Sequence, residues 1–331
     1  MAKDMQKFDV TDAIMTPWTM PGGRNFLFRI VLWAAALLLL VYFIFGRGLI
    51  MAYAEFFQTI IAMENNNTPE SVVASTMFSQ MQSLSGSIFL LFIASWVVMA
   101  MLEAAMHKNV FHGIDKGLVP LRFGRDEVMV MLTQLIIYLC FVGIYILGAI
   151  MVAVIFGLLG AGAQATGSTG LGVIVGLVGF FGIIAFLVAL VVIFMRWAPA
   201  AALSVRDETL RVFNGWSITK GIGLPLSGAY ALTAIGGYVL MTIIMFIGMI
   251  VLFSGADVSA LETMDMSGAD PDFSALAAHF EKLSTKIILV IFLMLYAVFS
   301  LMWYLHIWGI ANYVAQRNGG TAIYHRNMDG F

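Results

Sequence analysis

The sequence predicts an all-α membrane protein with six transmembrane helices, on three observations. From Val128 to Met195, 68 consecutive residues carry no charged side chain. Over the whole chain 61% of residues are hydrophobic and 11% charged, less than half the charge of an ordinary soluble domain. Finally, six separate stretches reach the ~20 mostly apolar residues that a spanning helix needs: residues 25–45, 87–106, 128–159, 171–197, 222–253 and 286–310. The chain divides accordingly into an N-terminal segment of residues 1–24, a six-helix domain of residues 25–310 and a tail of residues 311–331.

Each span carries its own marks. The first follows a segment holding Lys3, Asp4, Lys7, Asp9, Asp12 and Arg24 and is too long for the apolar stretch of a signal peptide. Ala52-Tyr53-Ala54 mimics a cleavage site, and the length of the preceding run argues against its use. The third and fifth exceed what a bilayer requires, so they tilt or project. The fourth ends at Arg196-Trp197, with Pro199 two residues on: arginine reaches phosphate, tryptophan sits at the interface, and proline ends or bends the helix. In the fifth, Gly236-Gly237 is the one sign of a break.

Lys and Arg fall unevenly between the connections. Alternate segments total 14 on one side and 3 on the other, which by the positive-inside rule places both termini in the cytoplasm and the chain in a cell inner membrane. The longer outer loops are acidic and polar. Thr68-Pro69-Glu70 reads as a helix start leading into Val72, Val73, Thr76, Met77 and Leu84, and Asp272 as the cap of a stretch through Phe280 and Leu283. The third outer connection is crowded with glycine, and Gly172-x-x-x-Gly176 permits close helix approach, read first as an intramolecular hairpin and second as a dimer face.

On the inner side, Arg125-Asp126-Glu127 and Arg206-Asp207-Glu208 repeat one tripeptide before odd-numbered spans, which suggests three helical hairpins. Thr209 to Lys220 is expected to form a short amphipathic helix lying in the headgroups, with Leu210, Phe213 and Trp216 toward lipid. Arg206, Arg211, Trp216 and Lys220 are then the candidate contacts to anionic headgroups.

Arg196, Pro199 and the run from Arg206 to Gly221 resemble a signature between the fourth and fifth helices of bacterial six-span proteins. These include the membrane domain attached to some glycerophosphoryl diester phosphodiesterases and the YciC-like family of unassigned function. In this chain the order Trp216-Ser217 reverses that pattern's Ser-Trp. The resemblance implies a multipass inner-membrane protein without established chemistry. Phosphodiesterase activity is not implied, because no segment is long enough to build the soluble barrel of that enzyme.

Ionisable side chains inside spans are costly and mark candidate sites. Three qualify, all toward the cytoplasmic ends of even-numbered helices: Glu103, Arg196 and His306. They could meet as one polar cluster; their position near the boundary favours anchoring over an ion pair, and an ion pair over transport or catalysis. His107 and His112 are read as facing headgroups, and Trp303, Tyr304 and Trp308 as an interface belt. Gln134, Tyr138, Thr233, Thr242 and Ser300 are expected to bond across helices at about 0.6 kcal/mol each.

No catalytic or cofactor motif is present, the single cysteine Cys140 forms no intrachain disulfide, and Asp265, Asp270 and Asp272 lack the calcium-loop pattern. A net charge of −2 argues against nucleic acid. The expectation is a non-enzymatic membrane protein without cofactor or metal, touching anionic lipid and supporting a membrane-protein partner or a homo-oligomer in envelope homeostasis. The rival is a transporter or channel subunit.

Overall fold

The computed structural model describes residues 8–20, 22–46, 59, 70–113, 120–167, 169–254 and 282–317. Among them there is no strand. In chain order the helices are α1 (Val10–Thr19), α2 (Gly23–Val41, continued by a π-helical turn Tyr42–Gly46), α3 (Glu70–Phe111), α4 (Arg125–Ala165) and α5 (Thr169–Trp197). They are followed by α6 (Ala200–Arg206), α7 (Asn214–Ile218), α8 (Gly223–Phe253) and α9 (Leu283–Arg317). Six helical stretches are long and apolar enough to cross a membrane: Gly23–Gly46, Ser85–Phe111, Arg125–Ala165, Thr169–Arg206, Gly223–Phe253 and Ser284–Arg317.

These match the six apolar runs, and most outlast them by a turn or more. Polar residues can continue a helix once it has left hydrocarbon. Asp126 and Glu127 occupy the first turn of α4, where carboxylates meet the positive end of the helix dipole, and Arg317 sits in the last turn of α9. At 41 residues α4 is about 60 Å long, roughly twice a hydrocarbon core. Residues 70–84, expected as a separate loop helix, run into the second span as the start of α3. Residues 65–69 and the Asp265 to Phe280 stretch lie outside the described residues, as does Ala52-Tyr53-Ala54.

The chain forms two compact units. The first gathers Met1–Leu27, Glu103–Thr233 and Leu305–Phe331. Here α1, which the charge-rich N-terminal segment did not announce, is capped by Asp9, whose carboxylate accepts from the amides of Thr11 (2.8 Å) and Asp12 (3.0 Å). Phe8 and Ala13 pack into a core with Leu226, Ala229 and Tyr230 of α8 and Ile310 and Val314 of α9. Closest approach is at Gly309, where a Cβ would stand 2.6 Å from Pro17 Cδ. In the same unit α4 and α5 face one another through Phe141 with Phe194 and Tyr145 with Phe186. The rings of Phe186 and Phe156 cover Gly148 and Gly179, whereas Gly172 and Gly176 have nothing within reach of a Cβ. The glycines that bring the hairpin together are therefore deeper than the Gly172-x-x-x-Gly176 motif.

The second unit comprises Phe28–Leu102 and Ala234–Tyr304. The ring of Trp303 lies over Gly237, and that of Phe292 over Gly248. α8 is continuous through Gly236-Gly237, so the pair seats an indole and does not break the helix. Ser300 donates to Met241 Sδ at 3.7 Å, while Thr242 bonds back to Tyr238 O of its own helix. A cavity of about 350 Å³, lined by Ile244, Gly248, Val251, Ile288, Phe292 and Leu295 among others, is wholly apolar.

The docking of α1 yields a direct test. Gly309→Ala forces a methyl into the Pro17 ring and should destabilise the chain by about 1–3 kcal/mol, with earlier protease cleavage N-terminal to α2. Adding Pro17→Ala should recover part of the loss; an equal loss with and without Pro17 would show that the two do not pack.

Candidate functional site

The polar side chains of the first unit gather near one end of α3. Glu103 and His107 are four residues apart, so they share a face of that helix. His107 Nε2 lies 3.2 Å from Glu103 Oε1, and its Nδ1 lies 2.8 Å from Oδ1 of Asn312 on α9. Gln134 of α4 donates from Nε2 to Glu103 Oε2. Glu103 is 4% exposed and His107 and Asn312 are fully buried, so this is a carboxylate held away from solvent by an imidazole and an amide from other turns and other helices. Tyr230 of α8 is close enough to feel the Glu103 charge, and its buried hydroxyl has no hydrogen-bond partner among the described residues.

Around this network the connections are bound to one another. Lys108 reaches Glu127 (2.7 Å) and Asp126 (3.2 Å). Thr133 Oγ1 pairs with Ser204 Oγ at 3.1 Å, and Ser204 Oγ also accepts from the Arg211 amide at 2.9 Å. The two copies of the Arg-Asp-Glu tripeptide touch: Arg125 donates to the Glu208 carbonyl at 2.8 Å. Glu208 sits in the left-handed region at φ 52°, a conformation a side chain adopts only when its surroundings hold it. His112 Nε2 lies 3.0 Å from the Val205 carbonyl.

A second arrangement forms where α5 ends. The Arg196 guanidinium stacks 3.6 Å above the Trp216 ring, donates from Nε to Thr219 Oγ1 (3.2 Å) and from Nη2 to the Trp216 carbonyl (3.1 Å). Thr219 Oγ1 in turn bonds the Gly215 carbonyl at 3.0 Å. Gly215 makes this latch possible, since a Cβ there would stand 3.0 Å from the Trp197 carbonyl oxygen. α7 is only five residues long, and residues 209–213 are not helical, so the expected amphipathic helix is reduced to one turn. Its apolar side chains are nevertheless outward: Leu210 is 44%, Phe213 63% and Trp216 41% exposed.

Glu103, Arg196 and His306 do not form one cluster. Among the described residues no hydrogen bond or ion pair joins any two of them. Glu103 is bound as above, Arg196 lies on Trp216, and His306 holds α1: its Nδ1 lies 2.8 Å from the Ile14 carbonyl, and Trp18 Nε1 donates to its Nε2 at 3.3 Å. Those contacts leave Nδ1 carrying the proton. His107, expected to face headgroups, is instead fully buried, because α3 continues to Phe111 and turns it inward. Of the expected headgroup contacts, Arg211, Trp216 and Lys220 are exposed. Arg206 is bound to Asp207 (2.7 Å) and to the Ala315 carbonyl (2.7 Å), and Arg211 reaches Asp207 at 3.2 Å. The hydrogen bond from Arg206, joined by the charges of both guanidinium groups, holds the Asp207 carboxyl below the usual carboxylate range.

Among the described residues no group of three or more His, Cys, Asp or Glu side chains is placed to hold a metal ion. Compared with protein-family models, with curated proteins and with solved structures, the chain matches none.

The buried network predicts strong coupling. His107→Leu removes a donor from buried Glu103 and should cost about 3–5 kcal/mol. Asn312→Leu should cost much less when added to that variant than in the wild type, measured as unfolding free energies in mixed micelles. Equal cost in both backgrounds would contradict the contact.

Proposed function

We propose that this chain is a non-enzymatic multipass protein of a bacterial inner membrane, with both termini cytoplasmic, whose inner face touches anionic lipid headgroups. In that position it supports a membrane-protein partner, or further copies of itself, in maintaining the envelope. The observation that carries the reading is the exposure of Leu210, Phe213 and Trp216 on one short connection between spanning helices, with Arg206, Arg211 and Lys220 around them. Apolar and aromatic side chains beside cations are the composition of an interfacial segment. Arg206 and Arg211 share a single carboxylate, Asp207, so the segment keeps a surplus of positive charge for an anionic surface. The basic bias of alternate connections supports the orientation.

The resemblance of Arg206 to Gly221 to six-span bacterial proteins agrees with this reading. The rival, a transporter or channel subunit, loses the support of a helix break, since α8 is continuous through Gly236-Gly237. Native mass spectrometry of the chain released from bilayers of mixed phosphatidylglycerol and phosphatidylcholine tests the lipid contact. Phosphatidylglycerol should be retained in preference, and replacing Arg206, Arg211 and Lys220 together by Gln should reduce that preference. Equal retention of both lipids by the wild type would remove lipid recognition from the proposal.

A further inference from the structure

We infer that Arg196, seated on Trp216 and assisted by Lys220, is a binding site for the phosphate of a single anionic phospholipid. The inference rests on the reading that this face meets anionic membrane, and it names the group that makes the contact.

Charge pairing sets Arg196 apart from Arg206 and Arg211 on the same connection. At the helix ends of the first unit, Lys108 faces Asp126 and Glu127, Arg125 faces Glu208, and Arg206 and Arg211 face Asp207. Arg196 has no carboxylate partner among the described residues: its hydrogen bonds go to neutral oxygens, the Thr219 hydroxyl and the Trp216 carbonyl. Those bonds occupy Nε and Nη2 and leave Nη1 with no acceptor on the described chain. A neutral acceptor does not cancel a guanidinium charge, so Arg196 presents its cation to whatever lies beyond.

The guanidinium is also fixed in direction. Stacking 3.6 Å above the Trp216 ring, together with two hydrogen bonds, orders a side chain that would otherwise lose considerable entropy on binding. A planar, preordered guanidinium suits the geometry of a phosphate. Lys220 is exposed and lies four residues after Trp216, where it adds a second cation. The ligand is a lipid and not a free phosphate because the same short connection exposes Leu210 and Phe213. Those side chains would gain nothing from a soluble anion but bury against the glycerol and upper acyl region of a phospholipid. Arg196 itself is the one charged residue of α5 and stands in its last turn, where an arginine can reach toward headgroup phosphates.

The test uses the full chain in bilayers of phosphatidylglycerol and phosphatidylcholine, with lipid retention read by native mass spectrometry and folding by melting temperature. Arg196→Gln should lower the preference for phosphatidylglycerol roughly fivefold, the contribution of one basic side chain at an anionic surface. Arg196→Lys, which keeps the charge and the fold but loses the planar group, should fall between that variant and the wild type. Arg211→Gln removes one charge from the same face and should lose less than Arg196→Gln. Inorganic phosphate at constant ionic strength should leave the melting temperature unchanged.

Equal losses in Arg196→Gln and Arg211→Gln would mean attraction to diffuse charge and would overturn the site while leaving the lipid-facing reading intact. Wild-type preference in Arg196→Lys and Arg196→Gln alike would do the same. Stabilisation by inorganic phosphate equal to that by phosphatidylglycerol would make the ligand a soluble anion. No preference in the wild type would end both the site and the broader reading.

Discussion

A carboxylate inside a lipid-spanning helix has no water to solvate it, so its own chain must supply the donors. Glu103 meets that constraint with one oxygen toward His107 and the other toward Gln134, and His107 passes the requirement on to Asn312. These contacts tie three helices, α3, α4 and α9, to one another. Apolar packing between lipid-facing helices specifies little, because hydrocarbon outside is as apolar as leucine inside. The polar contacts supply the specificity that packing lacks.

The same constraint sorts the remaining charges. Those that leave the spans are paired with one another across the connections: Lys108 with Asp126 and Glu127, Arg206 and Arg211 with Asp207, Arg125 with Glu208. The repeated Arg-Asp-Glu tripeptide has a physical role here, since Arg125 of one copy binds the strained Glu208 of the other. His306 belongs to this economy too, holding the short helix α1 through the Ile14 carbonyl and the Trp18 indole. The connection between α5 and α8 keeps apolar and aromatic side chains outward, and Arg196 is stacked on its Trp216.

The six spans were legible because an uninterrupted apolar run has only one stable conformation in lipid, the helix. Their ends were not, since a helix does not stop where hydrophobicity stops. His107 shows the consequence: a second span ending at Met106 leaves it facing headgroups, whereas α3 continues to Phe111 and buries it. Glu103 was recognisable as costly and His107 stands four residues on, but Gln134 lies 31 residues from Glu103 and Asn312 lies 205 from His107, and no local pattern joins those helices. The helix α1 escaped notice because it mixes charge, proline and tryptophan and draws its stability from a groove beside Gly309. Its Asp9 cap was the available signal. Trp216 was identified as interfacial, while its role as the platform for Arg196 depended on Gly215 allowing the connection to lie against the end of α5.

Accessibility from each side of the membrane tests directly whether the arginine-bearing helix ends lie at the inner leaflet. The chain has one cysteine, Cys140, so Cys140→Ser with Lys220→Cys places a single thiol on the exposed connection before α8. A membrane-impermeant maleimide should label it in inside-out vesicles and not in intact spheroplasts. Labelling of intact spheroplasts would put that face outside the cell and overturn the proposed orientation.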